Sequence, residues 1–433
     1  FRSIMLSNNK IDILSNTKVY LISNIFLATI PFILLPILTR YLGPEDYGKL
    51  AMFQLLITGL GAFVGLGVTG VFQRKFYDQN IKESDLALFL GTCFQTLICT
   101  SLLVALSILL LKGFLVTLIG LEVKWMLLSI CIIFLQTQIN LRLVHWQVSG
   151  QAFKYGMTQF AQAFLNMALS IFLVVFFLYG FEGRISALLL APLCMSFLCF
   201  ISLKKNGLIK FLSWKPQNLI EILQFGVPLI PHTFGAFIIA SADRFFINDS
   251  FGLKEVGVYM VAVQLAISVN IVFDALNKAF CPWLYAKLKE NSYPEMIKIV
   301  AKTYQWFGVI LLIGLFGSWF IAPPLTIFIA GKEYSEAATI IGLLIMGQVL
   351  GGMYLMVTNY IFYMKRTGLL GLVTIFSGLI NIVLLYYLVP ILGLKGAAIS
   401  FLISMIVRFF MTWYLAAKVC PMPWFKFNEL RCV

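Results

Sequence analysis

Charge is what this sequence has least of. Of its 433 residues only 12% are Asp, Glu, Lys or Arg, against roughly a quarter in soluble domains, and only two are histidine. There is no GxxxxGK[ST] loop, which disfavours a pump powered by its own nucleotide site, and neither HExxH nor GxSxG occurs. The eight cysteines (93, 99, 131, 194, 199, 281, 420 and 432) form no CxxC pair and no Cys/His cluster, so neither a zinc site nor a disulfide framework is expected, and they read as small core hydrophobes. No cleavable signal is expected, because the first apolar run is too long for one.

What fills the chain instead is apolar. It is 61% hydrophobic with a mean hydropathy of +0.94, the composition of an integral membrane protein. Twelve runs of about 20 or more apolar residues lie between positions 17 and 418, bounded by charge, Gly or Pro, and the second of them is expected as one helix over 49–73. Counting Lys and Arg in alternate loops puts 22 on the side where the chain begins, 9 on the other, and Arg408 in mid-helix. The positive-inside bias therefore predicts that both termini are cytoplasmic. The net charge of +14 follows from this bias and from attraction to anionic inner-leaflet lipids, and nucleic acid is not implied.

The twelve runs fall into two similar sets. "TRYLGPEDYG" at 39–48 returns as "SFGLKEVG" at 250–257, laying Gly43 on Gly252, Asp46 on Glu255 and Gly48 on Gly257. The first run of each set carries two prolines, Pro31 and Pro36 against Pro228 and Pro231, and ends in a polar residue followed by Arg, Thr39-Arg40 and Asp243-Arg244. The fifth carries Asn166 or Asn381 and leads into Gly180–Gly183 or Gly393–Gly396. The expected fold is all-α, about 12 transmembrane helices in two pseudo-symmetric six-helix bundles forming a parallel repeat about an axis along the membrane normal. Residues 1–203 form the N-terminal bundle, 204–220 a basic amphipathic cytoplasmic linker suited to an interfacial helix, 221–418 the C-terminal bundle and 419–433 a cytoplasmic tail. The glycines are expected to allow sharp outer corners, and the basic stretch 281–302 reads as a surface spacer. Two such bundles with proline-marked helices are the layout of an alternating-access transporter.

"PFILLPILTRYLGPEDYGKLAMFQLLITGLGAFVGLGV" resembles the N-terminal signature of the bacterial polysaccharide flippases, the O-antigen repeat-unit translocases of the multidrug/oligosaccharidyl-lipid/polysaccharide exporter superfamily. "FGVPLIPHTFGAFIIASADRFFIND", "EVGVYMVAVQL" and "GLINIVLLYYLVPILGLKGAAIS" are similar to that family's second-half landmarks. The resemblance implies a non-enzymatic flippase of the bacterial inner membrane. It would carry undecaprenyl-pyrophosphate-linked oligosaccharide from the cytoplasmic to the periplasmic leaflet, driven by an ion gradient. No cofactor is expected beyond a coupling Na+ or H+, and a polysaccharide polymerase or chain-length protein is the expected partner besides membrane lipids.

Such a cargo needs cations for its phosphates and amides for its sugars. Arg408, Arg244, Lys278 and Arg142 are the candidate cavity cations. Arg408 stands near the midpoint of its run with no partner at i±3 or i±4, so it must face the protein interior or a wet cavity. Gln159, Gln162 and Asn166 share a stripe with Ser170 that serves either sugar hydroxyls or neighbouring helices. Asn270, Asp274, Asn277 and Lys278 share a face on which Asp274 and Lys278 form an i,i+4 pair, and Asn381 is a further polar candidate. Gln138, Arg142 and His145 form another face that reads either as cavity or as a side chain snorkelling into headgroups. Asp243 opposes its helix dipole and lacks a local partner, which makes it a coupling or gating candidate with Asp274 and His232; His232 otherwise caps carbonyls freed by Pro231. Two rivals remain at this point: a drug or cation antiporter of the same superfamily, which would prefer an acidic cavity, and a polymerase or ligase of lipid-linked sugars, which would need a larger outer loop.

Overall fold

The computed structural model describes residues 29–78, 82–210, 215–290, 292–364 and 368–424, together with 27 and 366. Among these the chain is helical throughout, without strands. The helices are α1 (Thr29–Tyr41), α2 (Pro44–Leu60), α3 (Val68–Phe76), α4 (Glu83–Leu110), α5 (Lys112–Ile119), α6 (Val123–Val148), α7 (Ala152–Ile171) and α8 (Gly180–Lys205). There follow α9 (Pro216–Phe251), α10 (Leu253–Glu290), α11 (Tyr293–Phe316), α12 (Ala322–Ala330), α13 (Ala337–Tyr363), α14 (Gly368–Leu392) and α15 (Leu394–Val419). A π-helical turn ends α7 at Phe172–Phe176, and another at Gly317–Ile321 joins α11 to α12 in one continuous stretch. Ten helical stretches of the described residues are long and apolar enough to cross a membrane. With α1, whose beginning lies outside the described residues, and the α2/α3 pair, they make up an all-α integral membrane protein of about 12 spans.

Contacts divide the chain into residues 1–238 and 239–433, and the division falls inside α9. In the first unit the second apolar run is not one helix. It breaks between α2 and α3, where Gly65, Leu66 and Gly67 all take positive φ (79°, 48° and 65°). Two glycines adopt this freely, while Leu66 is strained by its side chain. Backbone without helical bonds is tolerated at membrane depth only where protein satisfies it. Here Gly65 N–H donates to Thr100 Oγ1 at 2.9 Å, and Gly226 of α9 brings its bare backbone against Leu66. Of the linker, residues 208–210 are irregular and not helical: Leu208 and Ile209 pack on the core around Phe89 and Phe94, and Lys210 N–H donates to Ala87 O at 3.1 Å. Trp214 lies outside the described residues. Lys215 pairs with Asp85 at 3.0 Å, and Lys75 of α3 with Glu221 of α9 at 2.8 Å.

In the second unit α13 is the most enclosed span, and glycines explain how. Gly347 receives the Phe401 ring of α15, Gly352 the Phe273 ring of α10 and Gly342 the Trp319 ring, each a place where a Cβ would collide. The expected spacer at 281–302 is instead the end of α10, unbroken by Pro282, and the start of α11, tied by Lys287 and Lys298 to Glu295 at 3.2 and 2.7 Å. The glycine markers recur with similar geometry in each unit. Gly180 and Gly393 take φ of 54° and 60°, and a Cβ on Gly183 or Gly396 would meet the carbonyl of Leu173 or Leu388. The other repeated corner is less symmetric. Gly252 needs its φ of 84°, whereas Gly43 at φ −64° caps α2 in an ordinary extended conformation, with Pro44 as the first helical residue. Of the cysteines expected in the core, Cys93, Cys199 and Cys420 are buried and Cys281 partly so, but Cys99, Cys131 and Cys194 are exposed on apolar helix faces; Cys432 lies outside the described residues.

Candidate functional site

The amide stripe of α7 lines a cavity. Gln159, Gln162, Ala163 and Asn166 form one wall, Gln136, Asn140 and Leu143 of α6 another, and Pro31 with Leu27 and Ile30 a third, around an open cavity of about 300 Å³. Spacings of three and four residues put each set on one face of its helix. Gln162 Nε2 donates to Gln136 Oε1 at 2.5 Å, and Gln136 Nε2 donates to Asn140 Oδ1 at 3.2 Å. Gln159 Nε2 donates to the Tyr155 hydroxyl at 3.1 Å, leaving its own Oε1 buried and unbonded among the described residues.

Behind Asn166 stands Arg184 of α8, buried at 7% exposure. Its Nη1 donates to Asn166 Oδ1 at 2.7 Å and to Ser170 Oγ, and Tyr47 lies within its electrostatic reach. Arg184 reads from sequence as a loop charge. The signal that places it inside is the small-residue stripe around it, with Gly183, Ala187 and Ala191 buried on the same helix. Gln136 and Asn140 are equally legible as an i,i+4 amide pair, but the neighbouring face of α6 competes with them through an arginine and a histidine.

That competing face packs on α8 instead of snorkelling. Arg142 is 1% exposed, donates to Ser202 Oγ at 2.8 Å, contacts His145 Nδ1 at 3.3 Å and stacks 4.4 Å over the Trp146 ring, while Gln138 donates to Ser196 O at 3.4 Å. The small Ser196 and Ser202 leave room for the long side chains, so Arg142 has a structural seat away from the cavity.

In the second unit the polar candidates separate. Asn270 donates to Gln348 Oε1 at 2.8 Å, and Asn359, 3% exposed, donates to Asn277 Oδ1 at 2.7 Å, so both pairs join α10 to α13. Asn359→Leu should therefore lower stability by about 1–3 kcal/mol, because it strands the Asn277 amide, and thermal unfolding of the purified protein measures this. Asp274 and Lys278 form the expected ion pair at 2.5 Å on an exposed surface. Asn381 Oδ1 is buried without a hydrogen bond among the described residues. His232 is exposed on α9, which runs unbroken through Pro228 and Pro231. Asp243 has a nearer partner than its place beside Arg244 suggests: its Oδ1 accepts the Arg244 N–H at 2.9 Å and lies 3.8 Å from the Arg244 guanidinium. The guanidinium curls back to Ala240 O at 3.0 Å and to Met260 Sδ at 2.8 Å, which is what brings the neighbours together, and the buried Tyr259 faces both.

Arg408 lies part-buried in the middle of α15 with its guanidinium 4.1 Å over the Tyr354 ring of α13. Its Nε is buried without a hydrogen bond, and no carboxylate of the described residues pairs with it.

The profile of the polysaccharide biosynthesis protein family matches residues 13–287, more than half of the chain. The chain belongs to that family. Over 381 residues this polysaccharide biosynthesis protein is 28% identical to a Haemophilus influenzae protein named for the Lsg locus, covering 85% of this chain and 91% of the relative. It is 20% identical over 398 residues to a Shigella flexneri protein named for O-antigen transport, covering 88% and 92%. Among solved structures it is similar to the lipid II flippase MurJ in an inward closed conformation, with a TM-score of 0.72 at 15% identity over 95% of this chain and 88% of that one. The polysaccharide biosynthesis protein thus shares the fold of that structure.

Proposed function

We propose that this polysaccharide biosynthesis protein is an alternating-access flippase. It moves undecaprenyl-pyrophosphate-linked oligosaccharide, an O-antigen or similar repeat unit, from the cytoplasmic to the periplasmic leaflet of a bacterial inner membrane, with both termini in the cytoplasm. The observation that carries the reading is Arg408, a guanidinium at membrane depth that rests on an aromatic ring and has no acid among the described residues to neutralise it. A structural arginine in that position would be expected to hold a carboxylate or several carbonyls. One left with free donors suits a multiply charged oxyanion, and its planar fork matches phosphate oxygens. No covalent step is needed. Family membership and a relative named for O-antigen transport support the cargo class. An antiporter of cationic drugs would want carboxylates, and the described residues that line the cavity of the first unit are amides and apolar groups alone.

Coupling to Na+ or H+ through Asp243 belongs to the same proposal, as does docking of a polymerase or chain-length partner. Reconstitution into liposomes with fluorescent lipid-linked oligosaccharide tests transport directly. Under a Na+ or H+ gradient the label should lose or gain protection from an external quencher faster than in protein-free vesicles. Identical kinetics under every gradient would refute flipping.

A further inference from the structure

Among the described residues, the cavity of the first unit is lined by five amides and no charge. What those amides have left to offer follows from the bonds they already make. Gln162 gives its nitrogen to Gln136, and Gln136 gives its nitrogen to Asn140, so the chain runs one way and ends with the Asn140 nitrogen free of any hydrogen bond among the described residues. Asn166 has its oxygen occupied by Arg184, a buried cation that cannot accept, so its amide is held nitrogen-outward. On the same α7 wall as Asn166, Gln159 leaves a buried oxygen unbonded among the described residues. Pro31 and Ala163 supply apolar wall between them.

An ion entering this space would lose water and meet no countercharge, and a hydrocarbon would leave donors and an acceptor stranded. The guest that fits is uncharged, carries groups that both donate and accept, and has an apolar face. A pyranose ring has these properties: each hydroxyl does both, and its C–H edges are apolar. At about 300 Å³ the cavity sits at the small end of the ~300–1,000 Å³ range of ligand sites, enough for one sugar and too little for a repeat unit. We infer that the amide cavity is a saccharide subsite that holds one uncharged sugar residue of the cargo, with Arg184 as the positioning residue that fixes Asn166; this inference rests on the flippase reading above. The cation that meets the phosphate and the amides that meet the sugar are thus different groups, which separates affinity for the lipid from selection among glycans.

The test uses the full-length protein in detergent with two soluble probes: farnesyl pyrophosphate, and farnesyl pyrophosphate carrying one N-acetylglucosamine. Wild type should bind the sugar-bearing probe about tenfold more tightly, the effect expected of one or two hydrogen bonds. Gln162→Leu, which keeps bulk and breaks the amide chain, should erase that preference and leave affinity for the bare probe unchanged within about twofold. Asn140→Leu, which removes a free donor without unseating α7, should do the same, and Arg184→Lys, able to hold Asn166 through one bond, should keep part of the preference. If wild type binds both probes equally, or if both leucine variants retain the preference, the saccharide subsite is overturned while the flippase reading stands. If wild type binds neither probe, the pyrophosphate reading fails and this inference with it.

Discussion

Arg408→Ala abolishes export of lipid-linked saccharide, and Arg408→Lys reduces it, while both variants insert and run as single species in detergent. The expectation rests on cost and on geometry. An arginine at the centre of a membrane helix costs about 2.5 to 3.5 kcal/mol on insertion scales. Here the only compensation among the described residues is the Tyr354 ring at 4.1 Å, and a cation–π contact of this kind is worth about 0.5–2 kcal/mol. Removing the side chain should therefore leave stability unchanged or slightly improved, so lost export reports on cargo rather than on folding. Lysine keeps the charge but loses the planar fork that grips two phosphate oxygens together. The measurement is complementation of a surface-polysaccharide defect at matched expression, with thermal unfolding alongside. Normal export by Arg408→Ala would remove the phosphate role. A collapse in stability would show that the arginine is a structural brace after all.

The second large effect is expected far from any candidate ligand group. Gly226→Ala should destabilise the first unit by about 1–3 kcal/mol, the usual cost of overpacking. A Cβ there falls onto the Leu66 carbonyl oxygen, and Leu66 cannot yield easily. It is held at φ 48° between two left-handed glycines, and the Thr100 hydroxyl anchors the preceding residue. Gly235→Ala is the control in the same helix. Nothing lies within 4 Å of its added methyl, so it should be neutral or stabilise by up to about 1 kcal/mol through lower unfolded-state entropy. Melting temperatures of the two variants in one detergent decide the matter. Equal behaviour would mean that the break between α2 and α3 adjusts to fill whatever space α9 leaves.

Arg408 and the amides of α7 stand out in the sequence for physical reasons. Cost marks the arginine, since a charge in the middle of an apolar run has to be explained by something it faces. Periodicity marks the amides, since Gln159, Gln162 and Asn166 return to one face of a helix whatever that face meets. Other residues show where such reasoning stops. Asn270 and Asn277 share a face just as clearly, yet theirs is filled by Gln348 and Asn359, which lie 78 and 82 residues away. Arg142 has a helix-end position that predicts snorkelling, but Ser202 on α8 receives it instead.

Composition and spacing are enough to establish a helical membrane protein, the rough limits of its spans, the recurrence of sequence markers in its two halves, and the residues expensive enough at membrane depth to need a partner. These are local properties, written in one stretch of chain at a time. Which polar faces meet a cavity and which meet each other is a matter of three-dimensional packing. So are the backing of Asn166 by Arg184, the break of the second span at Gly65–Gly67 and the packing of Leu208 and Ile209 on the core. Each of those outcomes depends on what a distant helix presents at the same point in space, and a hydrogen bond is as favourable to a neighbour as to a ligand.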